Sequence, residues 1–226
     1  MLLSAMFIDM HTHEELFSPC SVMRLEEAVV AARYAGLDGL CVTDHNSTDI
    51  RAVAADYLRR EDFPVFVGVE FSTAQGDIVA FGLEELPEPW LTPAQTFIDL
   101  VNDREGFCFA AHPFRSYGGG LDRFTDKLTG LHGLETFNGG NIYQEDNLRA
   151  ARVCRRLGLI PVAGSDAHCV ENVGTYATWF PQNITSEREL ILALLSGQGR
   201  PVHKTGKSAY AFIKEEPEYK KFPGSF

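Results

Sequence analysis

Two histidines one residue apart, His11 and His13, follow a short apolar run that includes Phe7 and Ile8. In an extended strand alternate side chains share a face, so both imidazoles point the same way and can grip one metal ion. Four further apolar runs also end in metal-binding residue types: Cys41 to His45, Val65 to Glu70, Phe107 to His112 and Ile160 to His168. A lone histidine at a strand end is usually an ordinary hydrogen-bonded residue. Here His11, His13, His45, His112 and His168 are five of the seven histidines in the chain, and Glu70 and Asp166 add carboxylates at equivalent places. Mixed imidazole and carboxylate shells suit zinc, manganese or iron better than calcium or magnesium. His132 and His203 have no strand before them and read as surface residues.

The elements that must position these residues alternate. Leu25, Ala28, Val29, Ala32 and Ala35 repeat at helical spacing, and Gly36 stops the helix. Gly39 to Val42 reads as a strand, followed by a helix from Ser47 or Thr48 through Arg60. Val65 to Phe71 and Ile78 to Leu83 read as two strands joined by a turn at Gly76, and Pro93 opens a helix through Asp103. Phe107 to Ala111 is a strand that leads into His112, Arg115 and a loop with three glycines. Then come a strand at Leu134 to Asn138, a helix closed by Gly158, a strand at Ile160 to Ala163, another at Tyr176 to Phe180 and a helix at Ser186 to Leu195. Alternating strands and helices imply a parallel sheet with ligands at the carboxyl ends of its strands. Closing the sheet brings all those ends onto one face, so we expect an α/β barrel.

The 226 residues, 45% hydrophobic and 23% charged, fit one domain with a substantial core. We expect it to span residues 1–199, with 200–226 as a tail packed on it or flexible. A formal net charge of −11 argues against broad electrostatic binding to nucleic acid or an anionic membrane, though a local basic pocket could survive. The apolar N-terminus is too short for a secretory signal or a spanning helix, and five scattered cysteines without Cys-x-x-Cys spacing fit a reduced compartment. The expectation is a soluble cytoplasmic protein.

The ordered motifs His11-x-His13, Thr43-Asp44-His45, Gly68-Val69-Glu70, His112-Pro113 and Gly164-Ser165-Asp166-Ala167-His168 resemble those of the PHP superfamily, named for polymerase and histidinol phosphatase domains. The resemblance covers most of the chain and is closest to the small stand-alone metal-dependent phosphoesterases. It implies a single-domain, distorted (β/α)7 barrel carrying two or three divalent transition-metal ions. His11, His13, Glu70 and Asp166 would surround one ion. Glu70 would bridge to a second, shared with His112 and Asn138, and His45 with His168 would hold a third. Relatives often complete the third shell from the loop after the first motif, where this chain offers Glu14, Glu15 and Cys20.

The resemblance also implies a reaction, in which a metal-bridged water attacks phosphorus. Glu70, Asp166 and His168 are the expected catalytic residues, with His168 or Asp44 assisting the leaving group. Arg115, at the mouth of the glycine loop, is the candidate phosphate contact. We expect a small phosphorylated substrate, a phosphomonoester or nucleotide; nucleic-acid ends remain possible, but no basic groove with interleaved aromatics is visible to support them. Two alternatives stand beside this one. An amidohydrolase shares the His-x-His opening, but its bridging carboxylated lysine has no counterpart near Glu70. A non-catalytic metal-binding module is the other.

Overall fold

The computed structural model describes residues 5–55 and 63–213. Strands β1 (Met6–Asp9), β2 (Gly39–Val42) and β3 (Val65–Val67) alternate with helices α1 (Leu25–Ala35) and α2 (Ile50–Ala54). Strands β4 (Val69–Ser72) and β5 (Asp77–Phe81) follow directly, then α3 (Ala94–Asp103), β6 (Phe107–Ala110), β7 (Gly133–Asn138), α4 (Gln144–Leu157) and β8 (Ile160–Gly164). The described chain ends with β9 (Tyr176–Phe180), α5 (Glu187–Leu195), β10 (Arg200–Gly206) and β11 (Ala209–Phe212). Short 3-10 turns occur at Asp122–Lys127 and Val170–Asn172.

The α/β class is as expected, but the strands form two open sheets rather than one closed barrel. One runs β11-β10-β9-β1-β2-β3 and the other β4-β5-β6-β7-β8. The single strand expected over Val65 to Phe71 is divided at Gly68, where the chain passes from one sheet to the other. A Cβ there would lie 2.7 Å from the Phe81 ring and 2.8 Å from the Ala80 carbonyl, so only glycine permits the passage. Two isolated parallel bridges, Thr12 to Ala167 and His45 to Glu70, tie the sheets together beyond the strand ends. Both bridges lie in the His-x-His, His45, Glu70 and Asp166 motifs.

The helices close their faces by simple means. α1 buries the five residues of its apolar stripe, and Gly36 ends it at φ 81°. The Ser186 hydroxyl accepts the Glu189 amide at the start of α5. Phe71 and Phe97 stack at 4.2 Å, fixing α3 against the second sheet. α2 is the one described piece of the helix expected through Arg60; residues 56–62 lie outside the described residues. Residues 200–212 pack as β10 and β11 on the edge of the first sheet. The charged run at 214–218 lies outside the described residues. Among those described, no helix is long and apolar enough to cross a membrane.

Candidate metal centre

The carboxyl ends of both sheets converge on Glu70. Its Oε2 lies 3.3 Å from His11 Nε2, 3.3 Å from His13 Nε2 and 3.1 Å from His45 Nδ1. None of these is aligned as a hydrogen bond, so the buried oxygen has no such partner among the described residues. Its sister Oε1 is 2.7 Å from His112 Nε2. Asp166 Oδ1 lies 3.2 Å from His13 Nε2 and 3.5 Å from His11 Nε2, and those two nitrogens are 3.0 Å apart. Donor atoms crowded this closely about one point suit a shared cation. Three overlapping groups could hold metal ions: His11, His13, Glu70 and Asp166; Glu70, Asp77 and His112; and His13, His45 and His168.

The charge balance fits the same reading. Burial pulls the His13 imidazole down, but the Asp166 and Glu70 carboxylates beside it outweigh this and push it up to about 9. His11 is likewise raised, against burial, by Glu135, Asp166 and Glu70. Burial works to raise Glu70 and Asp166, yet the neighbouring imidazoles hold both well below the usual carboxylate range. The carboxylates therefore favour a cation at the imidazole nitrogens, where protons and metal ions compete for the same lone pairs.

A supporting layer aims the ligands. His11 Nδ1 donates to Glu135 Oε1 at 3.1 Å, and Glu135 Oε2 accepts from the His112 amide at 2.8 Å. His13 Nδ1 meets Ser18 Oγ at 3.3 Å, and that hydroxyl donates to Asp44 Oδ1 at 2.8 Å. Both histidines thus keep Nε2 for the centre. Asp9, which burial pushes up to about 6 against the pull of the Ser165, Gly174 and His11 amides, ties the first motif to the last. The backbone is strained at two expected ligands, His112 at φ 29° and Asp166 at φ 53°. Gly164 makes room for His11, since a Cβ there would sit 2.6 Å from His11 Cβ.

All the histidines and carboxylates expected at the site converge on it. Other placements differ from expectation. Asn138 Oδ1 already accepts from Arg115 Nη2 at 3.0 Å and the Gly140 amide at 2.8 Å, and its amide nitrogen donates to Glu135 at 2.8 Å. Arg115 pairs with Asp166 and donates from Nε to Asn141 at 3.1 Å. Asp44 accepts from the Glu14 amide at 2.9 Å as well as from Ser18. Glu14 closes its own turn by accepting the Leu16 and Phe17 amides, Glu15 pairs with Arg24, and Cys20 is exposed. His132 is half-buried: its Nδ1 accepts the Cys108 amide at 3.2 Å, and it stacks on Phe107.

Glu135, Ser18 and Asp77 were not singled out by sequence reasoning. Glu135 alone carried a usable signal, a carboxylate inside the otherwise neutral strand Gly133–Asn138.

A family model described as PHP-associated matches residues 144–198. An uncharacterized protein of Methanocaldococcus jannaschii is 29% identical over 142 residues, covering 58% of this chain and 80% of that one. A two-domain protein of Bacteroides vulgatus containing a predicted PHP-like metal-dependent phosphoesterase superposes with a TM-score of 0.66 at 16% identity, over 89% of this chain and 66% of that one. Endonuclease Q, solved with a 27-mer duplex whose abasic lesion lies at the active site, superposes with a TM-score of 0.65 at 15% identity, over 85% of this chain and 57% of that one.

This last likeness corrects the expectation that nothing points strongly to nucleic acid, since a protein of the same fold was solved with a duplex substrate at its active site. Net charge summed over the chain says little on this point, because a substrate responds to the local field at its site. A PHP-associated segment at residues 144–198 and a fold shared with a PHP-like metal-dependent phosphoesterase are what this chain has in common with proteins of that kind.

Proposed function

We propose that the chain is a metal-dependent phosphoester hydrolase with the Glu70 cluster as its active centre. The observation that carries this reading is the convergence of His11, His13, Glu70 and Asp166 around a buried carboxylate oxygen with no hydrogen bond among the described residues. Those four residues hold one divalent transition ion, of zinc, manganese or iron. Glu70, His112 and Asp77 hold a second, with Asp77 in the place expected of Asn138. His45 and His168, backed by His13, offer a third position. Bound ions of this class supply a water nucleophile at neutral pH and neutralise charge building on the phosphoryl oxygens.

The chain's own groups orient and exclude. Glu135, Ser18 and Asp44 hold the histidine tautomers. His168 Nδ1 is engaged by the Asp166 carbonyl at 2.9 Å, which leaves its Nε2 lone pair for a ligand bond. Arg115 fixes Asp166 and Asn138 and brings a guanidinium to the mouth of the centre, where its charge faces a phosphate. The substrate class we favour is a phosphodiester of a nucleic-acid strand, on the likeness to endonuclease Q.

The test is elemental analysis of protein purified without chelator, followed by hydrolysis of a chromogenic phosphodiester and a labelled oligonucleotide with manganese, zinc or iron. We expect two or three bound equivalents and metal-dependent release of product. Protein that neither carries nor takes up these ions, or that hydrolyses neither ester when loaded, would overturn the reading.

A further inference from the structure

The Asp122–Lys127 turn packs beside α4 and leaves a cavity of about 240 Å³ between them. Arg123 and Lys127 from the turn and Arg149 and Arg156 from α4 line it, against only two carboxylates, Asp122 and Asp126. On a chain of net charge −11 this is a local excess of positive charge. One of the carboxylates is already used, since Asp122 Oδ1 accepts from Arg149 Nη2 at 2.8 Å. Arg149 also lies over the Phe114 ring, 4.3 Å from its centroid, which fixes the guanidinium at the rim. Thr125 lines the same cavity, and its buried hydroxyl has no hydrogen-bond partner among the described residues. A cation-rich wall with an unused hydroxyl is suited to an anion with several acceptor oxygens.

The cavity is also close to the metal centre. Phe114, on its wall, is two residues from His112, about 7 Å of chain. Arg115 and the Ser116 amide bridge the gap, the first held at Asp166 and the second bonded to Asp146 in the first turn of α4. Arg149 and Arg156 are seven residues apart on one helix, a rise of about 10.5 Å. That spans roughly three stacked nucleotides of one strand. Two half-exposed aromatics border the path, Tyr117 beside Arg115 and Tyr143 at the start of α4. The Tyr117 hydroxyl donates to the Gly140 carbonyl at 2.5 Å, which holds the ring at the rim.

We infer that this cavity and the adjoining face of α4 form a second phosphate-binding subsite, which grips the backbone of a polynucleotide strand while another phosphate of that strand lies at the metal centre. Tyr117 and Tyr143 offer stacking faces to unpaired bases between the two sites. The subsite gives the chain a reason to act on a strand rather than a mononucleotide, because a mononucleotide cannot occupy both positions. It takes its direction from the phosphoester-hydrolase reading, but its test does not depend on turnover.

Binding of a fluorescein-labelled single strand of about twelve nucleotides is followed by anisotropy between about 50 and 200 mM salt, with the 226-residue chain metal-loaded and EDTA-treated. Each phosphate neutralised contributes about −0.7 to the slope of log K against log salt for a single strand. Arg123→Ala and Arg156→Ala should each flatten the slope by about that amount and weaken binding several-fold, whereas Arg156→Lys should keep most of both. Both positions are exposed, and circular dichroism confirms that the variants fold. Slopes and affinities equal to those of the unmodified chain would overturn the subsite, as would failure of that chain to bind the strand.

The two readings fail separately. Strand binding that follows the variants without hydrolysis of any ester would keep the subsite and sink the phosphoester-hydrolase reading. Hydrolysis of the oligonucleotide with no effect of the variants on binding would do the reverse.

Discussion

Glu70 is the residue on which the electrostatics of the centre turn, because its two oxygens face four imidazoles. Glutamine keeps the shape and removes the charge. Glu70→Gln should leave circular dichroism unchanged, lower bound metal and reduce turnover at least about a hundredfold, the scale of losing one main electrostatic element. Elemental analysis and steady-state hydrolysis on matched preparations check this, and full metal with normal turnover would remove Glu70 from its bridging role. Glu135 acts one layer out, through His11 Nδ1 and the His112 amide. Glu135→Gln should weaken metal affinity by about ten- to a hundredfold in a chelator-competition titration, as expected for a group that orients a ligand histidine. The candidate ligands were legible because histidine and acid recur at strand ends. Asp77 was not, because it opens β5, which runs antiparallel to both its neighbours, so the start of that strand lies where the others end.

At the scale of elements, Gly68 divides what reads as one strand, and this decides how the ligands meet. The passage sets β3 in one sheet and β4 in the other, and Glu70, near the start of β4, bridges to His45. Gly68→Ala forces a methyl group against the Phe81 ring and the Ala80 carbonyl. We expect a loss of about 1–3 kcal/mol in urea unfolding, the usual cost of overpacking. An unchanged midpoint would mean that the sheets can shift to accept it. Strand and helix positions followed from apolar runs and from Gly36, Gly158, Pro93 and Ser186 at their ends. The change of sheet did not, because an isolated glycine in a strand pattern fits a bulge, a bend or a close approach equally well.

For the molecule as a whole, metal should act as a ligand of the folded state. Chelation should lower the melting temperature by about 5–10 °C, since a ligand at a hundred times its Kd adds about 2.7 kcal/mol and a chain of this size shifts a few degrees per kcal/mol. Differential scanning fluorimetry with and without EDTA measures it, and superimposable curves would argue against a resident ion. The five cysteines should divide by burial. Burial pushes the Cys108 and Cys154 thiols up to about 12 and Cys41 well above its ordinary value, so at pH 8 they carry almost no thiolate. A thiol titration of the native protein should show rapid reaction at exposed Cys20 and part-exposed Cys169, with the other three reacting after denaturation.

The sequence by itself determined the alternation of strands and helices, the positions of most of their ends and which histidines and carboxylates stand as candidate ligands. Those properties are local, set by periodicity, by end signals and by the chemistry of a residue at a strand terminus. Tertiary structure alone decided that the strands form two open sheets, that Glu135 and Ser18 aim the histidines, and that Arg123, Lys127, Arg149 and Arg156 gather round one cavity. Each of these depends on segments distant in sequence meeting in space. Charge summed along the chain cannot reveal such a meeting, because the field at a site comes from the few groups packed beside it.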